Sequence, residues 1–317
     1  MTGFKVALER SISAHDPGQP AGPGLGRLGS GGLHATVPLP KESRNFKIPN
    51  KSFAMADHAT TMISVRGCNI KLMRGGSGPP LLFLHGASGA GAWLPFMQAL
   101  AARFDVIVPE HPGFGDSDMP EWLDTVHDLA YFYLDVLEQL DLDRVHLVGG
   151  SLGGWIAAEL AIRDTYRLSS LTLVGAAGIH VAGAKQVDLF LGSDEQRIRD
   201  FFHDPACADE MIARVLRPEF EDANTKNRIA TAKLAWQPRA YDPHLRKWLH
   251  RIDVPTLIVW GANDRVFPME YAYVYQRLIP GSKAVIIPEC GHIPQAEKPA
   301  VFVSELTDFI DGMRKAA

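Results

Sequence analysis

An apolar run, Val145-His146-Leu147-Val148, passes through Gly149-Gly150-Ser151-Leu152-Gly153-Gly154 into a helical pattern that reaches Ile162. This strand–turn–helix junction constrains the chain more than any other stretch. A serine on so tight a turn is held in a strained backbone conformation, and small neighbours let strand and helix close on each other. Its hydroxyl projects beyond the carboxyl end of the strand. The helix N-terminus beneath it offers unpaired N–H groups and a positive dipole end, both suited to a developing oxyanion.

The surrounding sequence supplies the sheet that such a junction needs. Residues 62–65 and 69–73 read as a hairpin around Arg66-Gly67-Cys68. Residues 81–84, 106–108, 145–148 and 171–174 are short, continuous apolar runs, the mark of strands buried on both faces. Between them, residues 92–104 and 124–140 read as helices, the second with apolar residues from Val126 to Leu140 at helical spacing. The pattern resumes with a strand at 256–260, a helix at 269–278, a strand at 284–287 and a last helix at 300–313. The expectation is an α/β fold: a mostly parallel central sheet with helices on both faces. After its fourth recognised parallel strand comes a mostly helical insertion at 179–250, too long for an ordinary connection and suited to a lid or binding element. Residues 55–178 and 251–317 then form the core, and 1–54 a flexible or loosely packed arm.

Composition narrows the function. The 317 residues are 46% hydrophobic and 21% charged, enough to build a sizeable core, and the formal net charge is -4. No basic excess points to nucleic acid, and no apolar run is long enough for a membrane-spanning helix. No apolar segment follows the N-terminal charges, so no secretory signal is expected. Three widely spaced cysteines, Cys68, Cys207 and Cys290, form neither a disulfide framework nor a CxxC site and suit a cytoplasmic location. Gly24-Leu25-Gly26-Arg27-Leu28-Gly29 spells GxGxxG but lacks the strand before and helix after that a dinucleotide site requires.

A serine hydroxyl becomes a useful nucleophile when a base removes its proton and a third group fixes that base. His292 lies just past the last strand and Asp264 just past the strand before it, in the order Ser, Asp, His expected for this turn. No acidic residue follows the strand ending at Val174, so the other acid position is empty. The oxyanion donors are expected to be the backbone N–H groups of Leu152 and Ala87, the latter in the loop His85-Gly86-Ala87-Ser88-Gly89. His85 reads as a hydrogen-bonding partner of neighbouring loops rather than as a second base.

These stretches (LLFLHGASG, VPEHPGFGDSDMP, HLVGGSLGGW, PTLIVWGANDRVFP and ECGHIPQAEKP) together resemble the α/β-hydrolase superfamily from about residue 62 to the C-terminus. The resemblance implies Ser151 as nucleophile, Asp264 as orienting acid, His292 as base and residues 179–250 as a cap over the site. The loop from His85 to Trp93 is similar to that of meta-cleavage-product hydrolases, which cut carbon–carbon bonds in ring-fission products. Those enzymes carry Asn before the serine and Trp after the histidine, where this chain has Gly150 and Ile293. Epoxide hydrolases and haloalkane dehalogenases share GFGDSD-like loops but use an aspartate nucleophile, which Ser151 argues against.

The first expectation is therefore a serine hydrolase cleaving a small to medium apolar carboxylic ester through an acyl-enzyme. The alternatives are a carbon–carbon hydrolase of 2-hydroxy-6-oxo-dienoates and a non-catalytic ligand-binding module on the same fold. Ser88, Trp93, Phe190, Phe202, Trp236 and Ile293 are the expected substrate contacts; the cap also holds arginines such as Arg217 and Arg239 that could meet a carboxylate, though charged residues on a helical cap usually face solvent. Neither a cofactor nor a metal is expected: Asp116 and Asp118 are too few and wrongly spaced for a calcium loop and read as turn-stabilising. The expected partner is a small-molecule substrate, and a homodimer is a compatible assembly.

Overall fold

The computed structural model describes residues 58–316, and the expected arm at 1–54 lies outside them with its GxGxxG string. Strand β1 (His58–Val65) turns into β2 (Cys68–Gly75) through Arg66 and Gly67, with φ values of 50° and 80°. Two successive positive φ angles give a two-residue turn whose twist matches the flanking strands. The hairpin is therefore longer than the apolar residues suggested, and Cys68 belongs to its second strand.

Six further strands follow: β3 (Pro80–Leu84), β4 (Asp105–Pro109), β5 (Val145–Gly150), β6 (Leu168–Val174), β7 (Thr256–Gly261) and β8 (Lys283–Ile287). All eight form one sheet in the order β1-β2-β4-β3-β5-β6-β7-β8, parallel from β4 through β8 and antiparallel at β1 and β2. The continuous apolar runs have a simple cause. Leu82 and Leu84 enter one core, and Leu81 and Phe83 the core on the opposite face. Successive side chains of a strand point to opposite faces, so a sheet covered on both needs apolar residues at every position.

Helices α2 (Val126–Gln139) and α3 (Leu152–Arg163) line the first core, and α1 (Pro95–Ala101) the second. Helix α1 is shorter than the expected 92–104. Pro95 occupies its first turn and holds Leu94 extended at φ -94°, ψ 159°, so the helix cannot begin earlier. Helix α2 starts at a capping box: Asp128 N–H meets Thr125 Oγ1, and Thr125 N–H donates to Asp128 Oδ2 at 2.7 Å.

Between β6 and β7 the chain forms α4 (Asp194–Phe201), α5 (Pro205–Val215), α6 (Glu221–Ala235) and α7 (Leu245–Trp248). Helix α8 (Glu270–Leu278), the unexpected short α9 (Pro294–Glu297) and α10 (Pro299–Ala316) complete the described chain. No helix among the described residues is long and apolar enough to cross a membrane.

Candidate active site

Strand β5 ends at Gly150 and α3 begins at Leu152, leaving Ser151 alone at the junction with φ 53° and ψ -115°. A non-glycine residue there is strained, and the surroundings hold it. Ser151 N–H donates to Val174 O at 2.9 Å, at the tip of the neighbouring β6. A Cβ at Gly149 would collide with the carbonyl of Gly153, and one at Gly153 with the carbonyls of Leu84 and His85. The close approach of backbone to backbone thus accounts for both glycines.

The structure brings the three chemistry-bearing side chains together. Ser151 Oγ lies 2.9 Å from His292 Nε2, and His292 Nδ1 lies 2.9 Å from Asp264 Oδ2. All three residues are at most 9% exposed. With Nδ1–H donating to the carboxylate, the Nε2 lone pair faces the serine hydroxyl, the tautomer that general-base chemistry needs. The other Asp264 oxygen, Oδ1, accepts the N–H groups of Val266 at 2.8 Å and Phe267 at 2.9 Å, which fixes the carboxylate plane. His292 N–H donates to Phe201 O at 2.7 Å, so α4 holds His292 by its backbone. The loop carrying His292 crosses the tip of β6, where Gly175 has φ 52° and a Cβ would lie 2.6 Å from His292 O. Burial pushes the thiol of nearby Cys290 up, so it stays protonated.

The expected oxyanion donors flank this array. Leu152 opens α3, so its N–H has no partner within the helix. Gly86 passes so close that a Cβ there would lie 3.2 Å from Ser151 Cβ. Ala87 follows directly, with Thr231 Oγ1 3.5 Å from its carbonyl. Ser88 is exposed, and its carbonyl, 3.0 Å from Asn227 Nδ2, is the engaged group.

His85 stacks on His111 at 3.6 Å between ring centroids and is wholly engaged. Its Nδ1–H donates to Gly86 O at 2.7 Å, and its Nε2 accepts His111 N–H at 2.9 Å. Burial lowers its pKa to about 4, so it is a neutral strut for the loop, as the sequence suggested.

The expected substrate contacts separate into two groups. Phe202 is buried beside Phe201, and Ile293 packs on the core next to His292. Trp93 stacks on His58 at 4.8 Å and donates to Gln98 Oε1. Phe190 and Trp236 pack edge to face at 5.2 Å, with the Arg239 guanidinium over both rings. Trp93 and Phe190 also pack, half-buried, against the core clusters, and Trp236 is exposed. Arg217 is exposed and, just past α5, donates to Ala213 O of that helix. Asp118 Oδ2 accepts from the Asn69 backbone, and Asp116 pairs with Lys71 Nζ at 2.8 Å, both within the expected turn-holding role.

Three polar residues escaped the sequence reading. Asn227 of α6 bridges Ser88 O and Gly115 N–H, clamping the Ala87 loop. Glu297 of α9 accepts N–H groups from Gly291, His203 and Asp204 at 2.6 to 2.8 Å, tying the His292 loop to the α4–α5 link. Gln295 lines a cleft with Leu94, Phe202 and Met211. Glu297 lies five residues after His292 and ahead of Pro299, a local clue; Asn227 has none, because its partners are over 110 residues away.

Comparison with known proteins bears on the fold and the family. A family model described as the alpha/beta hydrolase fold matches residues 79–299. A 2-hydroxy-6-oxo-2,4-heptadienoate hydrolase of Pseudomonas putida is 29% identical over 268 residues, covering 78% of this chain and 95% of that protein. A 2-hydroxy-6-oxo-6-(2'-aminophenyl)hexa-2,4-dienoic acid hydrolase of Metapseudomonas resinovorans is 28% identical, covering 78% of this chain and 89% of that one. Among solved structures, a membrane phospholipase A described as a bacterial virulence factor superposes with a TM-score of 0.70 at 29% identity, covering 81% and 87% of the two chains. This chain belongs to the α/β-hydrolase fold family and is a hydrolase.

Proposed function

We propose that this hydrolase cleaves a carbon–carbon bond in a 2-hydroxy-6-oxo-dienoate, with Ser151 as nucleophile, His292 as base, Asp264 as its orienting acid, and the Ala87 and Leu152 N–H groups as oxyanion donors. The observation that carries this reading over ester hydrolysis is the set of relatives. Dienoate and semialdehyde hydrolases of ring-fission type match nine-tenths or so of their own length.

The chemistry fits the geometry. Breaking the bond between C5 and C6 needs an electron sink, which the substrate gains when its 2-hydroxyl becomes a ketone and C5 takes the proton. Ser151 Oγ adds to the C6 carbonyl as His292 Nε2 takes its proton, and the oxyanion faces the two N–H groups. Collapse breaks C5–C6, and the electron pair flows to the C2 oxygen, which His292 reprotonates. Water, deprotonated by His292, then releases the acyl group from Ser151. The net change is substrate plus water to a carboxylic acid and a 2-hydroxydienoate. Residues 179–250 act as the cap that shapes the substrate's path, supported by the bonds from Phe201, Asn227 and the α4–α5 link to the site.

Ester hydrolysis is the second reading, supported by Gly150 and Ile293 standing where ring-fission hydrolases carry Asn and Trp. The test follows the loss of dienoate absorbance with 2-hydroxy-6-oxohepta-2,4-dienoate, beside p-nitrophenyl butyrate, for wild type and Ser151→Ala. The expected outcome is dienoate cleavage that the variant loses by at least a thousandfold. Turnover of the ester alone replaces the first reading by the second; equal rates in both proteins remove the serine mechanism.

A further inference from the structure

Away from the serine, the neck of the inserted segment carries side chains that the reaction does not use. The two ends of that segment meet: Gly178 N–H donates to Ala240 O at 3.1 Å, and Asp242 N–H donates to Gly178 O at 3.0 Å. Asp242 thereby comes up against two core helices. Its Oδ2 lies 3.1 Å from Nε2 of His127, in the first turn of α2, and that Nε2 lies 3.4 Å from Oε1 of Glu159 on α3. One donor atom from each of the three residues lies within 4.8 Å of the other two. Glu159 is 1% exposed and Asp242 8%, while the His127 side chain is 41% exposed and leaves one side open to solvent.

The other carboxylate oxygens are held from outside this group. Arg163 Nη1 donates to Glu159 Oε2 at 2.5 Å, and His244 N–H donates to Asp242 Oδ1 at 2.8 Å. Trp155 Nε1 adds a bond to Glu159 Oε1 at 3.2 Å. Glu159 Oε1 and Asp242 Oδ2 are thus both turned towards one imidazole nitrogen, with the kind of outer support by which proteins orient metal ligands. Arg163 offsets only one of the two buried negative charges, and a neutral imidazole brings a single Nε2 proton to two oxygens.

We propose that His127, Glu159 and Asp242 bind a zinc ion that pins the neck of the inserted segment to α2 and α3. One imidazole nitrogen and two carboxylate oxygens suit zinc, whereas calcium and magnesium take oxygen ligands. With metal–donor bonds of about 2.0–2.2 Å, a tetrahedral site spaces its donors about 3.3–3.6 Å apart, close to the two distances measured from His127. The ion takes the place of the Nε2 proton and meets both carboxylates at once, and the open side leaves its fourth position to water. Glu159 stands about 10 Å along α3 from Leu152, so the ion is a tether and takes no part in the chemistry at Ser151.

The test uses the full chain, stripped with a chelator and dialysed, as wild type, His127→Ala and Asp242→Asn. Calorimetric titration with zinc chloride, alone and in the presence of magnesium or calcium chloride, gives stoichiometry and affinity. Thermal unfolding with and without zinc gives the shift in midpoint. Wild type is expected to bind one equivalent of zinc more than either variant, and equal concentrations of magnesium or calcium are expected not to compete for it. At zinc about one hundred times the dissociation constant, the wild-type midpoint is expected to rise by about 5 °C, and both variants to lose the rise. Equal zinc binding and equal midpoint shifts in wild type and His127→Ala overturn the assignment. A wild type that takes up no zinc overturns it too, and leaves the three side chains as an ion pair only. If Asp242→Asn does not fold, His127→Ala decides, because that side chain is partly exposed.

Discussion

Glu297 offers the sharpest test of how His292 is held. Its carboxylate is buried and accepts three backbone N–H groups: Gly291 on Oε2, and His203 and Asp204 on Oε1. Glu297→Gln keeps the shape but turns one oxygen into NH2, which cannot accept. One N–H is then left facing another donor, and the remaining bonds lose their charge assistance. Hydrogen bonds to charged groups contribute about 1.5–3 kcal/mol, and an orphaned buried donor costs about 1–3 kcal/mol, so a loss of about 3 kcal/mol is expected. Urea unfolding at neutral pH measures it. The same substitution loosens the residue before His292, so the rate at which a fluorophosphonate labels Ser151 should fall about tenfold, which corresponds to about 1.4 kcal/mol of transition-state stabilisation. The pH midpoint of labelling should move with it, since the imidazole no longer sits square to Asp264. Stability within about 0.5 kcal/mol of wild type, the usual scatter of neutral substitutions, would refute the energetic argument. Reduced stability with unchanged labelling and an unchanged pH midpoint would show that Glu297 braces the fold without positioning His292.

Two further outcomes follow from the geometry. Gly153→Ala places a methyl against the Leu84 and His85 carbonyls and should cost about 1–3 kcal/mol by overpacking, with slower Ser151 labelling; an alanine variant as stable and reactive as wild type would show that the turn can widen freely. Because the pKa of His85 falls from an ordinary 6.5 to about 4 on burial, the unfolded chain binds the extra proton between those values. Stability is therefore full above pH 6.5 and falls as the pH drops towards 4, by about 2 kcal/mol at pH 5 from this residue. Urea midpoints at pH 7 and 5 check this, and a His85→Gln variant with the same pH slope as wild type would contradict it.

The serine turn was legible because its signals are local: an apolar strand, glycines at close approaches and a helix start, all within six residues of Ser151. Asp264 and His292 were legible because strand ends converge, and β5, β7 and β8 do lie on one half of one sheet. The late start of α1 was also written in Pro95, whose effect on Leu94 outweighs the apolar spacing that suggested a longer helix. The packing partners of the expected substrate contacts were less legible. Trp93, Phe190 and Trp236 have the composition of a pocket lining, but an aromatic ring is equally served by another ring or a guanidinium, and the sequence does not distinguish the two. Asn227 and Gln295 carry no local pattern at all. Their contacts arise only where α6 meets the Ala87 loop and where α9 faces Gly150.

The bare tip of β6 has a consequence for how this catalytic array can be rearranged. The loop bearing the imidazole rests across Gly175 with no room for a side chain beneath it. Any residue larger than hydrogen there would lift the ring away from the hydroxyl it serves. The strand lying between those that lead to Ser151 and Asp264 therefore acts as a saddle for the histidine loop, and relocating the carboxylate towards it would first require a different course for that loop.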